Sequence, residues 1–332
     1  MSKSTTKTKL TAIVMLTLDE AIHKRVKAVF DNRPKITSKV NLVLSRSRQE
    51  MIEAIPNAEI FFGWRLSENY YNQARNLRWI HLPSAGIDGA LPAAVFSSDI
   101  QVTSSKGLHK DPMAETAFAM ILSLTRGLHH ARDLQKENRW AFDIVSHNAG
   151  TLVGKTLGII GAGHIGRAIA KRAKAFGMKV IGINYSGRKV QGFSEIRSIG
   201  YLSWLLKQSD IIVLTLPLTA KSTGLIGPRQ FAQMKDDAIL INIARGRIID
   251  QDALMSAVLD GKLGGAGLDV FSEEPLPEDS PLWTMPNVII TPHIGGVTPD
   301  LYEKTTNLFI DNLDRFLRGK SLKGIVNKQK GY

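Results

Sequence analysis

Cysteine is absent from this 332-residue chain, which excludes disulfides and thiolate metal sites. Redox chemistry therefore has to come from a bound cofactor, and a reducing compartment suits the composition. No apolar run reaches the roughly 20 residues that span a bilayer. The leader Met1 to Lys9 is rich in Ser, Thr and Lys without the apolar centre of a secretion signal, so it reads as a frayed tail. A cytoplasmic protein without a membrane partner is expected. Acidic charge is also scarce: 30 Asp and Glu face 43 Lys and Arg, a net +13. The excess lies at the two ends, with 11 basic and 3 acidic residues in 1–48, and six basic and none acidic in 315–332. No helix-turn-helix, zinc-finger or RNP-like pattern accompanies it, so these ends read as solvated surface that mildly attracts anionic substrates. No nucleic-acid partner is expected.

With 43% hydrophobic residues, the chain can bury one large core or two moderate ones, and two domains fit the pattern better. Apolar runs at Ala12 to Leu16, Val40 to Leu44, Glu59 to Trp64, Arg78 to Leu82 and Ile100 to Val102 alternate with stretches able to form helices. The rhythm resumes at Thr156 to Ile160, Lys179 to Asn184, Ile211 to Pro217, Ala238 to Ala244, Gly265 to Val270 and Val288 to Thr291. Such alternation predicts α/β architecture: two doubly wound Rossmann-like domains, each a sheet with helices on both faces. Asp111-Pro112 and Thr298-Pro299 each read as a capping side chain before a proline at the first helical position, and mark two crossings between domains. The expected boundaries put 1–108 and 298–332 in a flavodoxin-like outer domain for substrate, and 109–297 in a dinucleotide-binding domain inserted into it. The helix from Pro112 to about Leu128 is apolar nearly all round, so burial between layers or in a subunit interface is expected.

In the run Gly161-Ala162-Gly163-His164-Ile165-Gly166, glycines sit between an apolar strand and a helical stretch, Arg167 to Phe176. Strand, glycine turn, helix and second strand complete a βαβ unit, the context a dinucleotide fingerprint requires. Gly161 allows the tight turn, Gly163 lets the backbone approach a pyrophosphate, and Gly166 lets helix and strand pack closely. The helix N-terminus at His164 and Ile165 offers its N–H groups to the phosphates. Two look-alikes fall away. Gly154-Lys155-Thr156 resembles the end of a P-loop, but Ala149 stands at the required glycine and a strand follows. Tyr185 to Lys189 has YxxxK spacing but sits in a loop rather than on a helix. His81, His109 and His147 have no ligand-spaced partners, and the pair His129-His130 reads as the end of a helix, where imidazoles meet solvent and carbonyls, so no metal is expected.

Three strand ends beyond the fingerprint carry reactive side chains: Asn242-Ile243-Ala244-Arg245-Gly246, Leu268-Asp269-Val270-Phe271-Ser272-Glu273-Glu274-Pro275 and Thr291-Pro292-His293-Ile294-Gly295-Gly296. Ligands of open α/β sheets bind beyond the carboxyl ends of strands, so these segments should converge. Together with Ser84-Ala85-Gly86-Ile87-Asp88, Met113-Ala114-Glu115 and Leu216-Pro217-Leu218-Thr219, they make the chain resemble the D-isomer-specific 2-hydroxyacid dehydrogenases. The resemblance implies that Arg245 binds the substrate carboxylate, that His293 is the acid/base and that Glu274 hydrogen-bonds it. It also implies that Asp269 lies near the nicotinamide carboxamide, that backbone amides at Ala85 and Gly86 help hold the carboxylate, and that Leu216, Pro217 and Ala244 line the cofactor. The chemistry agrees. A planar guanidinium matches a carboxylate in bidentate fashion. Histidine can protonate a carbonyl oxygen as hydride reaches carbon, and a neighbouring carboxylate favours its charged form.

An NAD site usually ends its second strand with Asp or Glu, which grips the ribose hydroxyls and repels a 2′-phosphate. This chain has Asn184 there, followed by Ser186, Arg188 and Lys189, so NADP(H) is the preferred cofactor, with NAD(H) also possible. The expected function is reduction of a small 2-oxo acid, such as glyoxylate or hydroxypyruvate, to the D-2-hydroxy acid, by a homodimer like those of the family. Oxidation of another small anion such as phosphite is an alternative, as is a dinucleotide-sensing module resembling the C-terminal-binding corepressors. Trp140 is either a packing residue or a pocket residue supplied by a neighbouring subunit.

Overall fold

A computed structural model describes residues 9–147 and 149–331, so the leader lies outside the described residues except for Lys9. Residues His109–Val297 form one compact unit, and the segments on either side form the other. Among the described residues no helix is long and apolar enough to cross a membrane.

The flanking unit holds β1 (Leu10–Met15), β2 (Val40–Leu44), β3 (Ile60–Gly63), β4 (Trp79–Leu82) and β5 (Gln101–Ser104). They pair in parallel in the order β2-β1-β3-β4-β5, the flavodoxin-type winding. Strands β3 and β4 are buried at every position, which is why they read as unbroken apolar runs rather than alternating ones. The helix Leu301–Leu317 packs beside Glu20–Asp31 and so returns the end of the chain to this unit. Its Phe309 ring is stacked between Phe62 and Trp79, at centroid distances of 4.5 and 5.0 Å.

Against this aromatic cluster lies His81, fully buried. Its Nδ1 is 2.7 Å from Thr103 Oγ1 and its Nε2 is 3.3 Å from Ser105 Oγ, while Trp79 Nε1 donates to the same Thr103 oxygen at 2.8 Å. Burial pushes its pKa down to about 3, because a charged imidazolium would lose its hydration.

The inserted unit holds β6 (Thr156–Ile160), β7 (Lys179–Asn184), β8 (Glu195–Ser198), β9 (Ile211–Leu214), β10 (Ala238–Asn242), β11 (Leu263–Leu268) and β12 (Val288–Ile290). All pair in parallel, in the order β12-β11-β10-β9-β6-β7-β8. The winding reverses between β6 and β9, the switch point at which such sheets bind ligands. One face is covered by the helices Lys110–Thr125 and His164–Ala175, packed over Ile159, Val180, Val213 and Ile241. The other face carries Leu205, Phe231 and Leu254 over Ile212 and Leu240.

The structure differs from the sequence reading in three local ways. The helix expected from Pro112 begins at Lys110 and stops at Thr125, where Gly127 in the left-handed region separates it from a second helix, Leu128–Lys136. Neither expected cap is one: Asp111 lies inside its helix, whose N-cap residue is His109, and Thr298 precedes a helix that starts at Leu301. Thr298 Oγ1 instead bonds Asp300 Oδ1 at 2.8 Å. Strand β8 was not anticipated, since Glu-Ile-Arg-Ser at a sheet edge has no apolar run to announce it.

The buried neutral imidazole makes stability depend on pH. An unfolded histidine takes up a proton below about pH 6.5 whereas His81 resists protonation down to about pH 3. Its stabilising contribution is therefore intact above pH 6.5 and is lost as pH falls, by up to about 1.4 kcal/mol per unit. Urea unfolding at pH 7 and pH 5 should show wild type losing roughly 2 kcal/mol more than His81→Gln over that interval. Equal losses would show that the imidazole is not the group responsible.

Candidate functional site

Strand β6 ends in the glycine turn, which is fixed from both neighbouring strands. Gly161 N donates to Ile183 O at 3.0 Å, Thr215 N donates to Ile160 O at 2.9 Å, and Thr215 Oγ1 donates to Gly161 O at 2.6 Å. Gly161 has φ of +112°, and a side chain there would press on the Thr215-Leu216 peptide. A Cβ on Gly166 would strike the Gly161 carbonyl, so this glycine sets how closely helix and turn approach. Gly163 differs: an added Cβ meets nothing within 4 Å among the described residues. Open space above a turn whose next residues, His164, Ile165 and Gly166, begin a helix fits a pyrophosphate. Leu216 and Pro217 follow β9 beside this turn.

Asn184 ends β7, and its side chain is engaged in shaping the next turn. Its Oδ1 accepts from Gly187 N at 2.6 Å and Ser186 N at 3.1 Å, and its Nδ2 donates to Arg188 O at 2.9 Å. The carboxylate usual for an NAD site is missing. Arg188 and Lys189 point from that turn into solvent, and neither has a carboxylate partner among the described residues.

The reactive segments come together at the other half of the sheet. Asn242, Leu268 and Ile290 stand in register across β10, β11 and β12, so the three loops leave the sheet at one level. After β10, Asn242 is 1% exposed, donating from Nδ2 to Arg245 O and accepting from Ala244 N, both at 3.0 Å. This staple shapes the turn that carries Arg245, whose guanidinium bonds Ala244 O at 2.7 Å. Gly246 then lies against the backbone of Phe271, where any Cβ would overlap it. Phe271 N donates to Glu274 Oε1 at 2.9 Å, and Glu274 Oε2 is 2.6 Å from His293 Nδ1. Arg245, Glu274 and His293 are thus linked through one chain of contacts, and the last two are 33% and 48% exposed at their side chains.

Asp269 is placed to brace the histidine loop. It is 1% exposed, with Oδ1 accepting from Thr291 Oγ1 at 2.6 Å and Ile294 N at 2.9 Å, and Oδ2 accepting from Gly295 N at 2.9 Å. His293 between them has φ of +55°, a conformation rare for a residue with a side chain. The sequence reading missed Asn242 and Thr291 as supports. An Asn closing the apolar run Ala-Ile-Leu-Ile, directly before Arg-Gly, was the available signal for the first. Ala85 and Gly86 lie in the other unit, in the loop after β4, where Ser84 Oγ donates to Gly86 O at 2.6 Å.

The chain is similar to known proteins over most of its length. The family model described as D-isomer specific 2-hydroxyacid dehydrogenase, NAD binding domain, matches residues 118–295. The glyoxylate/hydroxypyruvate reductase B of Pectobacterium carotovorum is 37% identical over 272 residues, 80% of this chain and 84% of that protein. The D-3-phosphoglycerate dehydrogenase of Methanocaldococcus jannaschii is 34% identical over 292 residues, 87% of this chain but only 55% of that longer protein. Among solved structures, the D-isomer specific 2-hydroxyacid dehydrogenase of Xanthobacter autotrophicus Py2, in complex with NADPH and MES, superposes with a TM-score of 0.83 at 25% identity, covering 98% of this chain and all of that one.

The close approach at Gly246 is directly testable. Gly246→Ala forces a methyl group into the Phe271 backbone, a clash that costs about 1–3 kcal/mol. Calorimetry should show a fall in Tm of roughly 2–4 °C per kcal/mol for a unit of this size. An unchanged Tm would mean that the two loops are not held together at this point.

Proposed function

Since the chain belongs to the D-isomer specific 2-hydroxyacid dehydrogenase family, we propose that it reduces small 2-oxo acids such as glyoxylate or hydroxypyruvate to D-2-hydroxy acids, with NADP(H) as the preferred cofactor. The observation that carries this reading is the Glu274–His293 pair at 2.6 Å, set beside the Arg245 turn on the sheet that also bears the fingerprint. A dinucleotide held on the glycine turn would supply the hydride for the carbonyl carbon. Arg245 grips the substrate carboxylate with a charge that is not lost at any working pH. His293, with Nδ1 committed to Glu274, gives a proton from Nε2 to the carbonyl oxygen, and Glu274 balances the charge and fixes the tautomer. Oxidation runs the same transfers backwards.

NADP(H) preference is supported by Asn184, whose amide is spent on its turn, and by the exposed Arg188 and Lys189. A hydrogen bond to a charged group contributes about 1.5–3 kcal/mol, so one Arg188 contact with a 2′-phosphate favours NADPH over NADH by roughly ten- to a hundredfold. A homodimer is supported by apolar side chains left in solvent over 128–144: Trp140 is 96% exposed, and Leu128, Phe142 and Ile144 accompany it. Among the described residues almost nothing covers the Trp140 ring. An exposed apolar cluster of this kind marks an interface.

An NADPH-oxidation assay against a panel of 2-oxo acids tests the activity. Turnover on at least one is expected, and turnover on none would favour a dinucleotide-sensing module instead. His293→Ala should lower kcat by about a hundred- to ten-thousandfold while calorimetric NADPH affinity is retained. Arg245→Ala should raise KM for the 2-oxo acid, and unchanged kcat and KM would remove it from substrate binding. Sedimentation equilibrium should give twice the chain mass, with Trp140→Ala and Phe142→Ala together moving it towards the monomer.

A further inference from the structure

Strands β9 and β7 flank β6 in the sheet, so the loops that follow them form the two walls of the glycine turn. Lys221, in the wall after β9, places its ammonium 5.6 Å from the centroid of the Tyr185 ring, which begins the opposite wall. The contact therefore reaches across the trough in which the adenosine half of a dinucleotide lies over such a turn. Tyr185 is 67% exposed, and Lys221 has no carboxylate partner among the described residues.

Both walls are held from below. Ser222, buried directly beside Lys221, accepts from Thr219 N and donates to Pro217 O, each at 2.8 Å, and Thr223 N donates to Thr219 O at 3.0 Å. The turn presenting Lys221 is thus pinned at its base while the side chain stays in solvent. Opposite it, the Asn184 side chain pins the turn presenting Ser186 and Arg188. An ammonium over an exposed aromatic face makes a weak contact, and a phosphate oxygen is a stronger partner for it. Lys221 can therefore exchange the ring for a phosphate without breaking an ion pair first.

We propose that Lys221 is a cofactor-specificity residue that closes over the 2′-phosphate of NADP(H) from the side opposite Arg188 and Lys189, leaving Tyr185 to the adenine or ribose. This inference rests on the NADP(H) preference proposed above. It adds a cation from a different loop, one that the sequence at the end of β7 does not announce.

Calorimetric titration of wild type and Lys221→Ala with NADPH, NADH, 2′,5′-ADP and 5′-AMP tests it without catalysis. The substitution should weaken NADPH and 2′,5′-ADP about tenfold, equivalent to about 1.4 kcal/mol, with NADH and 5′-AMP within twofold of wild type. Lys221→Glu should weaken the two 2′-phosphorylated ligands further. Equal weakening of all four ligands would place the ammonium on the pyrophosphate or adenine and overturn the proposal, as would four unchanged affinities. Wild type that binds NADH as tightly as NADPH would overturn the cofactor preference itself, and this role of Lys221 with it.

Discussion

The Asp269 carboxylate is the interaction on which the reactive part of this molecule depends. A buried carboxylate is tolerated only when its oxygens are satisfied, and here the donors that satisfy it are Thr291 Oγ1 and the amides of Ile294 and Gly295. Two of these lie just after His293, whose positive φ costs on the order of 1 kcal/mol or more. The charge cannot leave those donors without becoming a buried unpaired anion, so the loop is held in its costly conformation. Histidine orientation is therefore set from the buried side by Asp269 and from the solvent side by Glu274.

Parallel register carries that order sideways. Asn242, Leu268 and Ile290 are paired across three strands, so loops separated in sequence by dozens of residues start from one line. Close packing then removes the remaining freedom, because Gly246 permits a backbone contact with Phe271 that no other residue could make. The sheet supplies position, the glycine supplies proximity, and the hydrogen bonds of Asn242 and Asp269 supply direction. None of the three reactive side chains has to position itself.

Much of this was legible in the sequence because the constraints were local. Completely buried strands read as continuous apolar runs, and the βαβ context around Gly161 to Gly166 follows from strand, turn and helix lying next to one another. The three strand-end segments were visible because Arg, Glu and His are unusual endings for apolar runs. Support by distant partners was not legible. The donors to Asp269 come from more than 20 residues away, and β8 gains its strand character from pairing with β7 rather than from its own polar residues. The Asp111-Pro112 cap misled for a related reason. A proline is compatible with any position in a helix's first turn, where its missing N–H is not needed, so Asp111-Pro112 marked a helix start without marking its first residue.

Charge is arranged differently at the two halves of this sheet. Around Asp269 the anion is buried and saturated by neutral donors, which makes it a fixed part of the loop. Around the glycine turn Arg188, Lys189 and Lys221 are exposed and have no carboxylate partners among the described residues, so they hold no ion pair that a ligand would have to break. Asn184 completes the contrast. A carboxylate in its place would offset part of the nearby positive charge and repel a phosphate, whereas the neutral amide shapes the turn through Ser186, Gly187 and Arg188 and leaves the charge of the cations undiminished. The neutral amide at this single position therefore shapes the turn and leaves one unit more of positive charge beside it than a carboxylate would.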